Sequence, residues 1–193
     1  MQRLCVFCGS NVGDDAVYVQ AARSMGKALA AANIGLVYGG GSVGLMGAIA
    51  DAVLEAGGQV SGVIPRALVE RELGHSGVTD LHIVGSMHER KALMAELSDG
   101  FVALPGGIGT LEELFEVWSW AQLGIHRKPC GLLNVRGFYD GLIAYLDAVV
   151  AHRFIKPGHR SLLIIAHQPD DLIGQLRRYR PPDAPAWLTS GEE

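Results

Sequence analysis

The residues best suited to chemistry lie in one short segment, Pro-Gly-Gly-Ile-Gly-Thr-Leu-Glu-Glu, at positions 105–113. Three glycines in four positions follow an apolar run and open a segment with helical spacing. Backbone N–H groups at such a turn can hold a phosphate, and the Thr110 hydroxyl can donate a further hydrogen bond. No Lys-Ser or Lys-Thr pair ends the segment, so it is not a Walker A loop, which disfavours ATP-driven phosphoryl transfer.

Glu113, at the end of that segment, has two interpretations of equal weight. Thr110 and Glu113 have the spacing of a capping box, in which the carboxylate only binds the first backbone amide of a helix. A carboxylate beside a phosphate loop can instead stabilise a cationic sugar or activate a water molecule. Glu112 and Glu116 fit surface and helix-face charges.

Arg90 and Lys91 form a second candidate site, within Ser-Met-His-Glu-Arg-Lys-Ala. Two cations near the start of a helix oppose the helix dipole, which favours anions there. They are understandable if a phosphate or carboxylate lies nearby. A solvated pair of surface charges explains the same residues equally well.

The glycines Gly39, Gly41 and Gly44 match the pattern Gly-x-Gly-x-x-Gly between a predicted strand and a predicted helix. A dinucleotide site would need this loop after the first strand, and an acid at the tip of the next strand. Here the loop follows the second strand, and the third ends in Val63-Ile64-Pro65. Phosphate binding and simple tight-turn glycines both remain open.

Apolar runs of strand length alternate with helix-period segments along the chain, which predicts a parallel sheet with helices on both faces. The predicted strands are residues 3–8, 34–38, 59–64, 81–84, 101–104, 130–133 and 162–166. The predicted helices are residues 16–32, a segment ending near 56, 86–97, a segment ending near 123, 138–152 and 169–178. Both glycine loops follow strands, so they should line one crevice at the carboxyl edge of the sheet.

We therefore predict a single-domain, Rossmann-like, doubly wound α/β fold of about seven strands over residues 1–180. Residues 66–77 are weakly patterned and predict a short helix and a loop over the crevice, where Glu70 and Glu72 could contact a ligand. Residues 181–193 are rich in proline and polar residues and predict a flexible tail.

Composition excludes several classes of protein. The chain has 193 residues, a net charge of -4 and 49% hydrophobic residues, whereas nucleic-acid binding usually needs a basic surface. No segment has the length of a membrane span or signal-peptide core, which predicts a cytoplasmic protein. Cys5, Cys8 and Cys130 are too few for a disulfide framework and fit buried thiols. The seven histidines show no metal-ligand spacing, so no metal is expected.

Taken together, these motifs resemble the Lonely Guy (LOG) family of nucleotide phosphoribohydrolases. The resemblance rests on Pro-Gly-Gly-x-Gly-Thr-x-x-Glu at 105–113 and on the Arg90-Lys91 pair, and extends over residues 3–155. Phe-Cys-Gly-Ser at 7–10, Tyr-Gly-Gly-Gly at 38–41 and Trp-Ala-Gln-Leu-Gly-Ile-His at 120–126 also match.

The resemblance implies a Rossmann-like homodimer that needs no cofactor and releases the free base from a cytokinin riboside 5′-monophosphate or from AMP. It gives Arg90 and Glu113 the catalytic roles, and it implies that helices carrying Trp118 and Trp120 form the dimer contact, although both tryptophans also fit a helix core. The residues it implies for substrate binding are Gly9, Ser10, Gly40, Gly41, Met87, Lys91, Gly106, Gly107, Gly109 and Thr110.

Three other functions compete with this one. Lysine decarboxylase, a label often attached to the family, needs a Schiff-base lysine, and of Lys27, Lys91, Lys128 and Lys156 only Lys91 is near a candidate site. A broader purine nucleotide nucleosidase working in salvage would use the same residues. A non-catalytic nucleotide sensor would use the glycine loops without needing Glu113.

Overall fold

The strands of the molecule form one sheet in which all neighbours run parallel. The computed structural model describes residues 1–70 and 74–181. Within these residues the strands are β1 (Arg3–Phe7), β2 (Gly35–Tyr38), β3 (Val60–Pro65), β4 (Asp80–Val84), β5 (Phe101–Ala103), β6 (Cys130–Leu133) and β7 (Leu163–Ala166). The predicted α/β class and the seven-stranded parallel sheet are confirmed.

Helices separate the strands, as the alternating pattern predicts. They are α1 (Ala16–Ala31), α2 (Gly44–Glu55), α3 (Arg66–Val69), α4 (Met87–Glu96), α5 (Ile108–Leu123), α6 (Asp140–Ala151), α7 (Pro157–Arg160) and α8 (Pro169–Arg178). The Asp15 carboxylate caps α1 by accepting from Val17 N–H at 2.9 Å. Gly124, in the left-handed conformation with φ 84°, ends α5.

The strand order places the functional crevice. The order is β4-β3-β2-β1-β5-β6-β7, so the chain moves outward from β1 in one direction and then resumes on the other side of β1 with β5. The loops leaving β1 and β5 therefore diverge at a switch point, where parallel sheets of this kind bind ligands. Gly9 N–H donates to Pro105 O at 3.1 Å, which joins these two loops.

Two apolar clusters cover the two faces of the sheet. One joins β1 side chains such as Leu4 and Val6 to residues of α1, α2 and α8. The other joins Cys5 and Phe7 to residues of α4, α5 and α6. Alternate residues of β1 thus enter opposite cores, as the period of a strand requires. Because α4 and α5 share one face, Arg90 and Glu113 can meet there.

The sequence-based boundaries agree with the structure to within about two residues for the strands and longer helices. The short helix α7 and the 3₁₀ turn Val135–Gly137 were not predicted from the sequence. Ser86 and Glu89 have the sequence spacing of a capping box at the start of α4, but the box forms only in part. Ser86 Oγ accepts from Glu89 N–H, whereas the Glu89 carboxylate accepts from Gly85 N–H instead of Ser86 N–H. The prediction for Glu72 and that for the tail at 182–193 lie outside the described residues.

The three cysteines are buried and unpaired, as predicted. Burial raises the pKa of each thiol, so they stay protonated near neutral pH. No helix among the described residues combines the length and the apolar character needed to cross a membrane.

Candidate active site

A cavity of about 410 Å³ lies at the carboxyl ends of the central strands. Gly9 and Ser10 reach it from the loop after β1, Gly39 and Gly41 from the loop after β2, and Gly107 and Gly109 from the start of α5. Both glycine loops therefore line one crevice, as the alternating pattern predicts. Arg90, Thr110 and Glu113 complete its polar wall.

Arg90, on the first turn of α4, is buried and held by three acceptors. Its Nε donates to Val63 O at 3.1 Å and its Nη2 to Gly39 O at 3.2 Å. Its Nη1 donates to Glu113 Oε1 at 3.2 Å. The guanidinium is thus fixed between the end of β2, strand β3 and α5. A solvated surface pair, the alternative for this residue, is wrong.

Gly39 leaves the space that Arg90 occupies. A Cβ atom at position 39 would lie 1.8 Å from Arg90 Nη2, far inside any allowed contact. The next residue, Gly40, has a φ of 73° and turns the loop; its carbonyl accepts from His75 N–H at 3.0 Å. Gly39 thus makes room for the Arg90 side chain, and Gly40 allows the turn.

Glu113 lies in the second turn of α5, with 8% of its surface exposed. The helix begins at Ile108, and Gly107 precedes it without any side-chain cap. Thr110 is therefore inside the helix, and Thr110 and Glu113 do not form a capping box. The carboxylate instead pairs with Arg90 and faces the cavity. The capping interpretation of Glu113 is wrong.

Burial raises the pKa of Glu113 above its ordinary value, and the neighbouring Arg90 opposes that shift only in part. The positive end of the helix dipole would favour the ionised carboxylate if Glu113 lay in the first turn of α5. The dipole acts mainly on the first turn, whereas Glu113 is the sixth residue of α5. A raised pKa suits a group that exchanges protons near neutral pH.

The start of α5 has the features of an anion site. Gly107, Ile108, Gly109 and Thr110 all line the cavity. The first N–H groups of a helix have no partner within the helix, and the N-cap residue Gly107 has no side chain to cap them. A phosphate at this position would meet those N–H groups and the positive end of the helix dipole.

Four of the residues implied for substrate binding do not line this cavity. Gly106 borders a smaller adjoining cavity of about 280 Å³, and Met87 is exposed and lines neither cavity. Gly40 is buried in its turn. Lys91 points away and pairs with Glu112 at 2.5 Å and with Glu116 at 3.0 Å.

Trp118 is in the interior of the molecule. It is 5% exposed, and its indole N–H donates to His159 O at 3.0 Å. Trp120 is partly buried and packs on the same cluster. The core interpretation of Trp118 is therefore correct, and its side chain is not available for contact with another subunit.

The cavity also has an apolar wall, which the sequence motifs did not predict. This wall contains Cys8, Val43, Met46, Ile64, Leu68 and Ile108. Val43 and Met46 have the three-residue spacing of one helix face, and Ile64 stands near the end of a strand, so their proximity to the glycine loops was a usable signal. Leu68, in a four-residue helix, gave no comparable signal.

No lysine lines this cavity, and all four lysines are among the described residues. A Schiff base with pyridoxal phosphate therefore has no attachment point beside Arg90 and Glu113. The described residues contain no cluster of three His, Cys, Asp or Glu side chains able to hold a metal ion.

Solved structures share the fold at low sequence identity. The molybdenum cofactor binding protein from the phototrophic bacterium Rippkaea orientalis superposes with a TM-score of 0.70 at 20% identity, covering 92% of this chain and 97% of that one. A molybdenum cofactor carrier protein from Chlamydomonas reinhardtii gives a TM-score of 0.67 at 22% identity, covering 91% and 96%. This level of similarity establishes the fold alone.

Sequence relatives are much closer. The chain is 55% identical over 180 residues to the rice (Oryza sativa subsp. japonica) protein named "Probable cytokinin riboside 5'-monophosphate phosphoribohydrolase LOGL9", covering 93% of this chain and 79% of the relative. It is 51% identical over 180 residues to the Arabidopsis thaliana cytokinin riboside 5′-monophosphate phosphoribohydrolase LOG1, covering 93% and 84%. A family model described as "Possible lysine decarboxylase" matches residues 46–176. The chain therefore belongs to the LOG family, which that model describes and to which these phosphoribohydrolases belong.

Proposed function

We propose that this protein hydrolyses the N-glycosidic bond of a cytokinin riboside 5′-monophosphate, and of AMP, giving the free base and ribose 5-phosphate. The observation that carries the proposal is the buried Arg90–Glu113 pair facing a cavity that also receives the N-terminus of α5. Relatives 50–55% identical over more than nine-tenths of the chain bear the name of this activity. The proposed anion site and the proposed catalytic carboxylate thus share one cavity.

The 5′-phosphate is proposed to bind at the start of α5. The N–H groups of Ile108, Gly109 and Thr110 supply donors, and Ser10 faces the same space from the loop after β1. Binding energy from this remote group can orient the ribose over Glu113, which lies one turn further along the same helix. Nucleosides that lack the phosphate should therefore react poorly, and equal turnover of adenosine and AMP would contradict this placement.

In the proposed chemistry, water attacks C1′ as the bond to the base nitrogen breaks with its electron pair. Charge builds up on the sugar as an oxocarbenium-like cation, which the Glu113 carboxylate can stabilise by analogy with O-glycosidases. The same carboxylate can accept the proton that the attacking water loses. Arg90 fixes Glu113 through Nη1. It does not act as the general acid, because arginine side chains do not release protons in proteins. The departing base takes its proton from solvent or from the protonated Glu113.

The apolar wall of the cavity is suited to the base. Met46, Ile64 and Leu68 line the same cavity as the polar donors, and such a mixed lining suits a flat, weakly polar ring and its substituents. A general purine nucleotide nucleosidase would use the same wall, so a nucleotide panel separates the two physiological roles. A sensor would have no use for a buried carboxylate next to bound phosphate, since the two anions repel each other.

A homodimer is part of the proposal. Four large apolar side chains around α4, α5 and the edge strand β4 are exposed at 37–88%: Ile83, Met87, Ile108 and Phe115. A surface of this kind favours burial against a second subunit. A cytoplasmic location is also proposed, and three unpaired cysteines agree with a reducing compartment. We propose no cofactor.

The test is incubation of the purified protein with AMP and with isopentenyladenosine 5′-monophosphate, without metal or pyridoxal phosphate. Free base and ribose 5-phosphate are followed by chromatography, with Glu113→Ala as the control. Base release that vanishes in the variant supports the proposal, and the ratio of the two rates identifies the preferred substrate. Binding without release by the wild-type protein would favour a sensor.

A further inference from the structure

Lys91 has a place in the structure that its position beside Arg90 does not suggest. Its side chain is only 11% exposed, and its Nζ lies 2.5 Å from Glu112 Oε1 and 3.0 Å from Glu116 Oε1. Both carboxylates belong to α5, whereas Lys91 belongs to α4. The lysine therefore spans the two helices that supply the proposed catalytic pair.

The two helices face each other with unequal charge. Helix α4 contributes the cations Arg90 and Lys91, and α5 contributes the carboxylates of Glu112, Glu113 and Glu116. Arg90 pairs with Glu113, and Lys91 compensates the charges of both Glu112 and Glu116. Without Lys91, two uncompensated negative charges would lie one and three residues from Glu113. Glu116 Oε2 is already buried and has no hydrogen-bond partner among the described residues, so little water can reach it to take the place of the lysine.

We propose that Lys91 is a positioning residue: it locks α5 against α4 and neutralises the carboxylates around Glu113, so that Arg90 and Glu113 stay paired at the cavity. This inference rests on the proposed function, because it assigns Lys91 to the working of the same site. The positioning role takes the place of the substrate-binding role expected for Lys91, because Lys91 does not line the cavity.

The electrostatic surroundings of Glu113 agree with this role. The groups that act on it are Arg90 and Lys91 from α4 and Glu112 and Glu116 from α5. Lys91 lowers the pKa of Glu113, and both neighbouring glutamates raise it. The nearby thiols of Cys5 and Cys8 at β1 are kept neutral by burial. Removing only the lysine therefore makes Glu113 easier to protonate.

The experiment compares three variants with the wild-type protein, using the pH dependence of kcat/KM for AMP or isopentenyladenosine 5′-monophosphate. This profile reports the ionisation of groups in the free enzyme. The variants are Lys91→Met, the pair Glu112→Gln with Glu116→Gln, and all three substitutions together. Lys27→Met, at an exposed lysine of α1, is the matched control and should behave as wild type.

Lys91→Met should lower kcat by about tenfold or more, because small displacements of catalytic groups are costly, while KM changes little. The acidic limb of its kcat/KM profile should move to higher pH. The paired glutamine variant should move that limb to lower pH, and the triple variant should return it towards the wild-type position. A shift that reverses with the sign of the removed charge is not expected from loss of packing.

Two results would overturn the inference. A raised KM for the nucleotide with kcat intact in Lys91→Met would make Lys91 a substrate-binding residue. Acidic limbs identical to wild type in all variants would reduce the cluster to a structural role. If Lys91→Met does not fold, the paired glutamine variant alone decides the sign. Failure of the wild-type protein to release base would refute the proposed function instead, so the two failures remain distinguishable.

Discussion

Replacement of Gly39 by alanine should separate catalysis from stability. The added Cβ would lie 1.8 Å from Arg90 Nη2, whereas an ordinary contact begins at 3.4 Å. The guanidinium must therefore retreat by about 1.6 Å, or the loop must move with it. Either movement disturbs the hydrogen bond from Nη2 to Gly39 O and, through the same planar group, the one to Glu113.

The two consequences differ in size. A hydrogen bond with a charged donor contributes about 1.5–3 kcal/mol to stability. Replacing glycine by alanine lowers the conformational entropy of the unfolded chain, which stabilises the folded state by about 0.4–1 kcal/mol and offsets part of that loss. Position 39 is not among the residues with positive φ, so alanine fits the backbone there. Net destabilisation should be about 1–2 kcal/mol. A displacement larger than about 1 Å at a catalytic group should lower kcat by about a hundredfold.

The assay measures kcat for base release and the melting temperature of the same preparation. A chain of this length should lose about 2–8 °C, which leaves it folded at 25 °C. Gly141→Ala is the matched control, since a Cβ there meets nothing within 4 Å. It should keep full activity. If Gly39→Ala retained kcat within about threefold of wild type, the close approach of Gly39 and Arg90 would not matter for catalysis, and the placement of Arg90 argued above would be wrong.

Other perturbations test separate links between structure and function. Glu113→Gln should abolish base release and yet melt higher than wild type at pH values above the raised pKa of Glu113, because burial makes the ionised carboxylate costly. Because the pKa of Glu113 is raised in the folded state, its contribution to stability is complete below pH 4.5, the ordinary pKa of the group, and is lost as the pH rises through the raised pKa. The difference in melting temperature in favour of the glutamine variant should therefore grow with pH. A constant difference in melting temperature from pH 4 to 8 would contradict this. Ser86→Ala should remove the cap of α4 and destabilise the protein by about 1 kcal/mol in a denaturant titration; an unchanged midpoint would show that the cap contributes little. Trp118→Phe should cost stability through the unpaired His159 carbonyl without changing KM, and a shift in the monomer–dimer equilibrium would reopen its role at an interface.

The fold could be predicted because each strand is a short, nearly continuous apolar run between helix-period segments. Leu4 and Cys5 enter opposite cores, and such burial on both sides leaves a pattern that local sequence carries. The position of the site followed from the same pattern, since loops after parallel strands meet at one edge. The strand order itself depends on crossovers that span tens of residues, and no local signal fixed it.

The details of the site were harder because they depend on contacts between distant segments. The choice between cap and catalytic carboxylate for Glu113 depended on whether the N-cap of α5 is Gly107 or Thr110, a difference of three residues that local patterns do not resolve. The partners of Lys91 are 21 and 25 residues away on another helix, so its neighbour Arg90 was a misleading guide. The collision that requires glycine at 39 involves a residue 51 positions later.

The arrangement around Arg90 also explains why a site of this kind needs so many backbone acceptors. A buried guanidinium paired with only one carboxylate would lose more hydration than the single ion pair restores. Here the carbonyls of Val63 and Gly39 accept two of its hydrogen bonds, so Arg90 does not depend on Glu113 alone for its place. Glu113 can then gain and lose a proton while the arginine stays fixed. The two partners are therefore held differently. Arg90 donates to three acceptors, whereas Glu113 is buried and pairs with one cation. This difference leaves the carboxylate free to react.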